Sequence, residues 1–89
     1  LERFHIPNPS ITLSPNPFQD KTLLTIQGTI TNATLNIYNI EGKVVYKMTG
    51  ISGTNTQLTI NHEQLSDGIY FYHLMENNEV LAIGKIIVD

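Results

Sequence analysis

The chain has 89 residues, a formal net charge of −3 and five permanent cations scattered along its length, so it has no basic stripe of the kind that nucleic acid binding requires. It has no cysteine, which excludes disulfides and thiolate metal sites but leaves the compartment open. A chain this short buries only roughly 60–65% of the surface its unfolded form exposes, enough for one modest core. Binding, structural or targeting roles therefore come before catalysis.

The first ten residues, "LERFHIPNPS", show no basic head followed by an apolar segment. The longest apolar runs are a few residues, far short of the ~20 that span a bilayer as a helix. Next comes "LSPNPF", Leu13 to Phe18, with two prolines flanking one asparagine. Each proline fixes its own φ and biases the residue before it towards extended backbone, so Ser14 and Asn16 belong to a stiff joint between strands.

Beyond the joint, apolar residues recur at period two in short runs separated by turn-forming residues. With one run before it, seven can be read: Ile11–Leu13, Thr22–Gln27, Thr34–Asn39, Lys43–Met48, Thr56–Ile60, Ile69–Met75 and Val80–Val88. Thr, Ile, Val and Tyr dominate them, and no window keeps helical spacing for more than a turn. "NIEG" at 39–42 predicts a hairpin closing on a glycine with positive φ, and "ENNE" at 76–79 predicts a second tight hairpin. "ITN" at 30–32 and "GISGTN" at 50–55 read as polar loops. The pattern predicts an all-β fold, a seven-stranded sandwich of two antiparallel sheets.

Alternation assigns the faces. Leu35, Ile37, Val44, Tyr46, Met48, Leu58 and Ile60 fall on a buried side, with Asn36, Lys43, Lys47, Gln57 and Thr59 opposite. The last hairpin is apolar on both faces. With Tyr70, Tyr72, Leu74, Val80, Ala82, Ile86 and Val88 inward, its outer face carries Ile69, Phe71, His73, Met75, Leu81, Ile83, Lys85 and Ile87. A contiguous apolar surface on a small domain marks an interaction site, so Ile69, Phe71, Leu81, Ile83 and Ile87 form the expected docking surface, with Lys85 giving orientation. Cover by another segment and self-association are the competing readings.

Other chemistry has little support. His5, His62 and His73 lie on separate elements without metal-ligand spacing, and no serine has a nucleophile-elbow context. The oxygen-rich "NHEQLSD" at 61–67 is the one stretch that a calcium ion could use, although it lacks EF-hand spacing. Tyr38, Tyr46, Tyr70 and Tyr72 could form a sugar-stacking platform, but three of the four fit the core face. No cofactor is implied.

At "LSDGIYFYHL", residues 65–74, the residues become more specific. Leu65 plugs the end of the core, Ser66 and Asp67 turn, Gly68 supplies a permissive φ, and a strand starts at once. Leu13 with Pro15–Asn16–Pro17, then Ile37 to Gly42–Lys43, then Leu65, Gly68 and Tyr70, and finally Lys85 to Val88 follow one another in order. The series resembles a type A C-terminal sorting domain of the type IX (Por) secretion system, over about residues 11–89. Many members carry a second lysine where this chain has Leu81.

The resemblance implies a seven-stranded antiparallel immunoglobulin-like β-sandwich, a non-enzymatic domain that sends an upstream cargo in the same chain to the outer-membrane translocon. A cell-surface sortase usually removes it. It implies an exported protein, periplasmic in transit and then at the cell surface or secreted, with residues 1–10 as the tail of a linker from the cargo. Pro15–Asn16–Pro17 is then either a structural elbow or a feature that the machinery reads. The alternative function is a carbohydrate-binding or adhesin-like β-sandwich retained on the mature protein.

Overall fold

A computed structural model describes residues 10–89, all of them in strands or their connections. The expected linker, 1–10, lies outside the described residues except for Ser10, and His5 lies outside with it. Five strands follow in order: β1 (Ser10–Ser14), β2 (Lys21–Tyr38), β3 (Val44–Asn61), β4 (Gly68–Glu76) and β5 (Glu79–Val88). All the strand pairings are antiparallel.

Strand β2 organises the sheet. One of its edges pairs with β3 from Lys21 to Tyr38, while the other is shared, with β1 opposite Leu23–Gln27 and β4 opposite Thr34–Tyr38. β5 then pairs with β4. A parallel bridge between Phe18 and Val88 brings the segment after β1 to the edge of β5, and the sheet curls around a single core.

The expectation of seven strands is corrected to five, because the two anticipated loops at 30–32 and 50–55 stay hydrogen-bonded as bulged parts of β2 and β3. Register shifts fall between Ile26 and Thr29 and between Ile30 and Leu35, where Gly28 and Asn32 take positive φ, as do Gly50, Gly53 and Asn55 across from them. Such bulges bend a strand and re-aim its side chains. Accordingly the buried residues of β2 change parity, from Thr22, Leu24 and Ile26 to Ala33, Leu35 and Ile37. Each long strand therefore serves both ends of the core.

The two hairpins form as anticipated. Gly42 N donates to Asn39 O at 2.9 Å, Gly42 has φ +86°, and Asn39 Oδ1 accepts from Glu41 N and Lys43 N. Asn77 and Asn78 both have positive φ, the geometry of a two-residue turn that matches strand twist.

The core contains Phe18, Leu24, Ile26, Leu35, Ile37, Ile60, Leu65, Tyr70, Tyr72, Leu74, Ile86 and Val88, with Tyr46, Met48 and Leu58 packed against it. Three face assignments are corrected, each by a bulge. Ile37 pairs with Tyr46 but Tyr38 with Val44, so Val45 is an extra residue and Val44 is exposed. Leu74 pairs with Ala82 but Met75 with Val80, so Leu81 is extra, Val80 turns outward and Leu81 packs against the core.

Candidate functional site

The Pro-Asn-Pro joint is a clasp on the last strand. Asn16 Nδ2 donates to Lys85 O and Ile87 N donates to Asn16 Oδ1, both at 3.0 Å, so one side-chain amide pairs with β5 as a neighbouring peptide would. The backbone then continues the ladder, with Phe18 N donating to Ile87 O and Asp89 N donating to Phe18 O, both at 3.0 Å. Both prolyl bonds, Ser14–Pro15 and Asn16–Pro17, are cis. Pro15 O accepts a 2.6 Å bond from the buried Thr22 hydroxyl, and Phe18 fills the core beneath. The missing proline donors cost nothing here, because the amide of Asn16 supplies the contact instead.

The Leu65–Gly68–Tyr70 motif makes a corner. Leu65 is buried, Gly68 has φ +152°, and the Tyr70 hydroxyl reaches back to donate to Ser66 O at 2.7 Å. Gly42 and Lys43 lie in the hairpin between β2 and β3, with Lys43 exposed. These motif residues thus build three separate joints and converge on no common cleft.

On the outer face of β4 and β5, Ile69 stands opposite Ile87, Phe71 opposite Lys85 and His73 opposite Ile83. Ile69, Phe71 and Ile83 are 45%, 42% and 66% exposed, Lys85 is exposed, and Ile87 is half-buried. A shallow depression of about 410 Å³ is lined by Phe71, Tyr72, His73, Ile83, Gly84 and Lys85. The structure therefore brings Ile69, Phe71, Ile83, Lys85 and Ile87 together and leaves Leu81 out, turned to the core by its bulge.

The same face reaches further than expected. Phe71 also pairs with Tyr38, and Tyr38 with the exposed Val44, so one row runs from Val44 through Tyr38 and Phe71 to Lys85. Tyr38 leans on His73, their ring centroids 4.8 Å apart. The parity of Tyr38, opposite to Ile37, is the sequence signal that could have placed it there. Beside this row Asn36 is buried, its Nδ2 only 4.0 Å from Met75 Sδ and its Oδ1 without a partner among the described residues.

The metal and sugar readings gain nothing from this geometry. In the 61–67 loop, Asn61 Oδ1 accepts from Glu63 N, Gln64 Oε1 accepts from Asn61 N, and His62 Nε2 meets Asp67 Oδ1 at 2.8 Å. Among the described residues no group of three His, Cys, Asp or Glu could hold a metal ion. Tyr70 and Tyr72 are in the core, and burial pushes the Tyr72 hydroxyl pKa above its ordinary value. Tyr46 packs against the core as well, so of the four tyrosines Tyr38 alone lies on the outer face, beside Phe71.

No curated protein matches the chain. The family model described as the secretion system C-terminal sorting domain matches residues 12–89, a span that contains the clasp, both hairpins, the tyrosine corner and the whole outer face. The chain therefore belongs to the family of C-terminal sorting domains of type IX secretion.

Proposed function

We propose that this domain carries an upstream cargo to the type IX translocon in the outer membrane, docks there through the outer face of β4 and β5, and is then removed by a surface sortase. The observation that carries the docking reading is the exposure of Phe71 and Ile83 on a continuous apolar face bordered by Lys85. Contiguous apolar surface of this kind costs solubility and is a mark of interaction sites. The domain is a substrate of the secretion and cleavage machinery and performs no chemistry itself. Residues 1–10 serve as the link to the cargo, and the protein passes through the periplasm to the surface or the medium.

We also read the curled sheet as a two-layer sandwich of immunoglobulin type. In favour of this is the Tyr70 hydroxyl, which bonds to backbone four residues upstream at the start of a strand, the arrangement of a tyrosine corner.

The test fuses residues 1–89 behind an exported periplasmic reporter in a type IX-competent bacterium and in an isogenic strain lacking the translocon. Translocon-dependent appearance at the surface or in the medium, with loss of the tail, is expected. A reporter that stays periplasmic, or reaches the surface with its tail in both strains, overturns the reading. Within the same assay, Phe71→Ser with Ile83→Ser abolishes export while leaving the thermal transition in place; unchanged export removes the docking face.

A further inference from the structure

Two of the free edges of the curled sheet are blunted. β5 is covered from Lys85 to Asp89 by Asn16 and Phe18, and the bulge at Leu81 distorts the remainder. β1 has five residues and runs straight into Pro15. Short strands, bulges, prolines and charges are how proteins keep sheet edges from pairing with other chains. β3 is treated differently along its length.

Among the described residues β3 pairs only with β2. Its first part carries Lys47 and the bulge at Val45, but from Thr54 to Asn61 the sequence "TNTQLTIN" has no charge, no proline and no glycine. The register with β2 is unbroken from Thr56 to Asn61. His62 N donates to Asp20 O, so by alternation the even-numbered residues 56–60 direct their backbone groups at β2. Gln57 and Thr59 then present N–H and C=O to the outside. The next outward donor, Asn61 N, is already taken by Gln64 Oε1 at 2.9 Å, which closes that end.

We propose that Thr56–Ile60 is a self-association edge, pairing antiparallel with the same segment of a second copy about a two-fold axis at Leu58. In this register Gln57 of each copy exchanges backbone hydrogen bonds with Thr59 of the other, and Thr56 lies opposite Ile60. No like charges meet. Leu58, half-buried at the rim of the core, packs against Leu58 of the second copy and gains the cover it lacks. The contact is isologous, so it consumes both edges and stops at a dimer. A ladder of so few residues covers much less than the roughly 1,200 Å² of a stable interface, so the association is weak and belongs to high local concentration. The docking face remains open, since β4 pairs with the other half of β2 and β5 lies beyond β4.

Sedimentation equilibrium across a concentration series reaching the millimolar range tests this on the intact chain. The wild type is expected to move reversibly from monomer to dimer. Thr59→Pro removes the outward donor without taking a hydrogen bond from β2, and Gln57→Lys with Thr59→Lys sets like charges across the two-fold; both variants are expected to stay monomeric at every concentration. If Thr59→Pro fails to fold, the double lysine variant decides alone, its fold checked by its thermal transition. A wild type that is monomeric throughout, or a dimer that survives the lysines, overturns the proposal.

Discussion

The side-chain amide of Asn16 holds the backbone of Ile87 and of Lys85, two residues before it, as a strand would, accepting from the first and donating to the second across 71 and 69 residues of sequence. Asn16→Ala removes both bonds at a partly solvated site, which costs about 1–2 kcal/mol. The urea midpoint should fall with an unchanged slope. Asn16→Asp keeps an acceptor for Ile87 N but turns an oxygen on Lys85 O, and should also destabilise. Export assays on these variants are informative only alongside that measurement.

Gly84 lies under the ring of Tyr72, its cross-strand partner, and a Cβ at this position would overlap the ring atoms. Gly84→Ala should cost about 1–3 kcal/mol through overpacking. The double variant Gly84→Ala with Tyr72→Ala should lose clearly less than the sum of the single losses, because removing the ring removes the collision. Strict additivity in denaturant unfolding would contradict this contact.

Asn36 points the other way in energy. Among the described residues its buried Oδ1 has no partner and its Nδ2 has only a long contact to sulfur, so the side chain gives up water for little return. Asn36→Val, of similar size and well suited to a strand, should raise stability by about 1 kcal/mol. Calorimetry should register a higher Tm.

Burial keeps the Tyr72 hydroxyl protonated beyond its ordinary range. The folded pKa lies above the unfolded value, so this contribution to stability is full below the unfolded pKa of about 10 and is lost as pH rises through the folded value. In an ultraviolet titration, Tyr72→Phe should remove a tyrosinate step that appears above the ordinary tyrosine range. The stability of that variant should also fall less steeply in strong base.

Much of the fold was legible because a half-buried strand must alternate. Tyr70, Tyr72, Leu74, Ile86 and Val88 face inward as their spacing requires. Composition misled where backbone pairing does not depend on side chains. Thr29 and Ile30 remain opposite Thr54 and Gly53 although the surrounding residues look like loops, and the positive φ values at Gly28, Asn32 and Asn55 bend the ladder without breaking it. Single-residue bulges were invisible for a related reason. One extra residue opposite Met75 or Tyr38 is a property of the pair, so neither Leu81 nor Val44 shows in its own sequence context which way it turns. The stiffness of Pro15–Asn16–Pro17 could be read locally; its attachment to Lys85 and Ile87 could not.

The bridge between Phe18 and Val88 also sets an order in time. Phe18 is buried only when a strand some seventy residues later lies beside it, and the amide of Asn16 finds its partners only in that same strand. Contacts this distant form late. A chain emerging from the ribosome therefore cannot close this sheet until residues 85–89 have been made, and a chain cut short before them would display an open edge and an uncovered phenylalanine. The closed domain thus reports that β5 is present, and any reader of its folded surface passes over chains broken off before that strand.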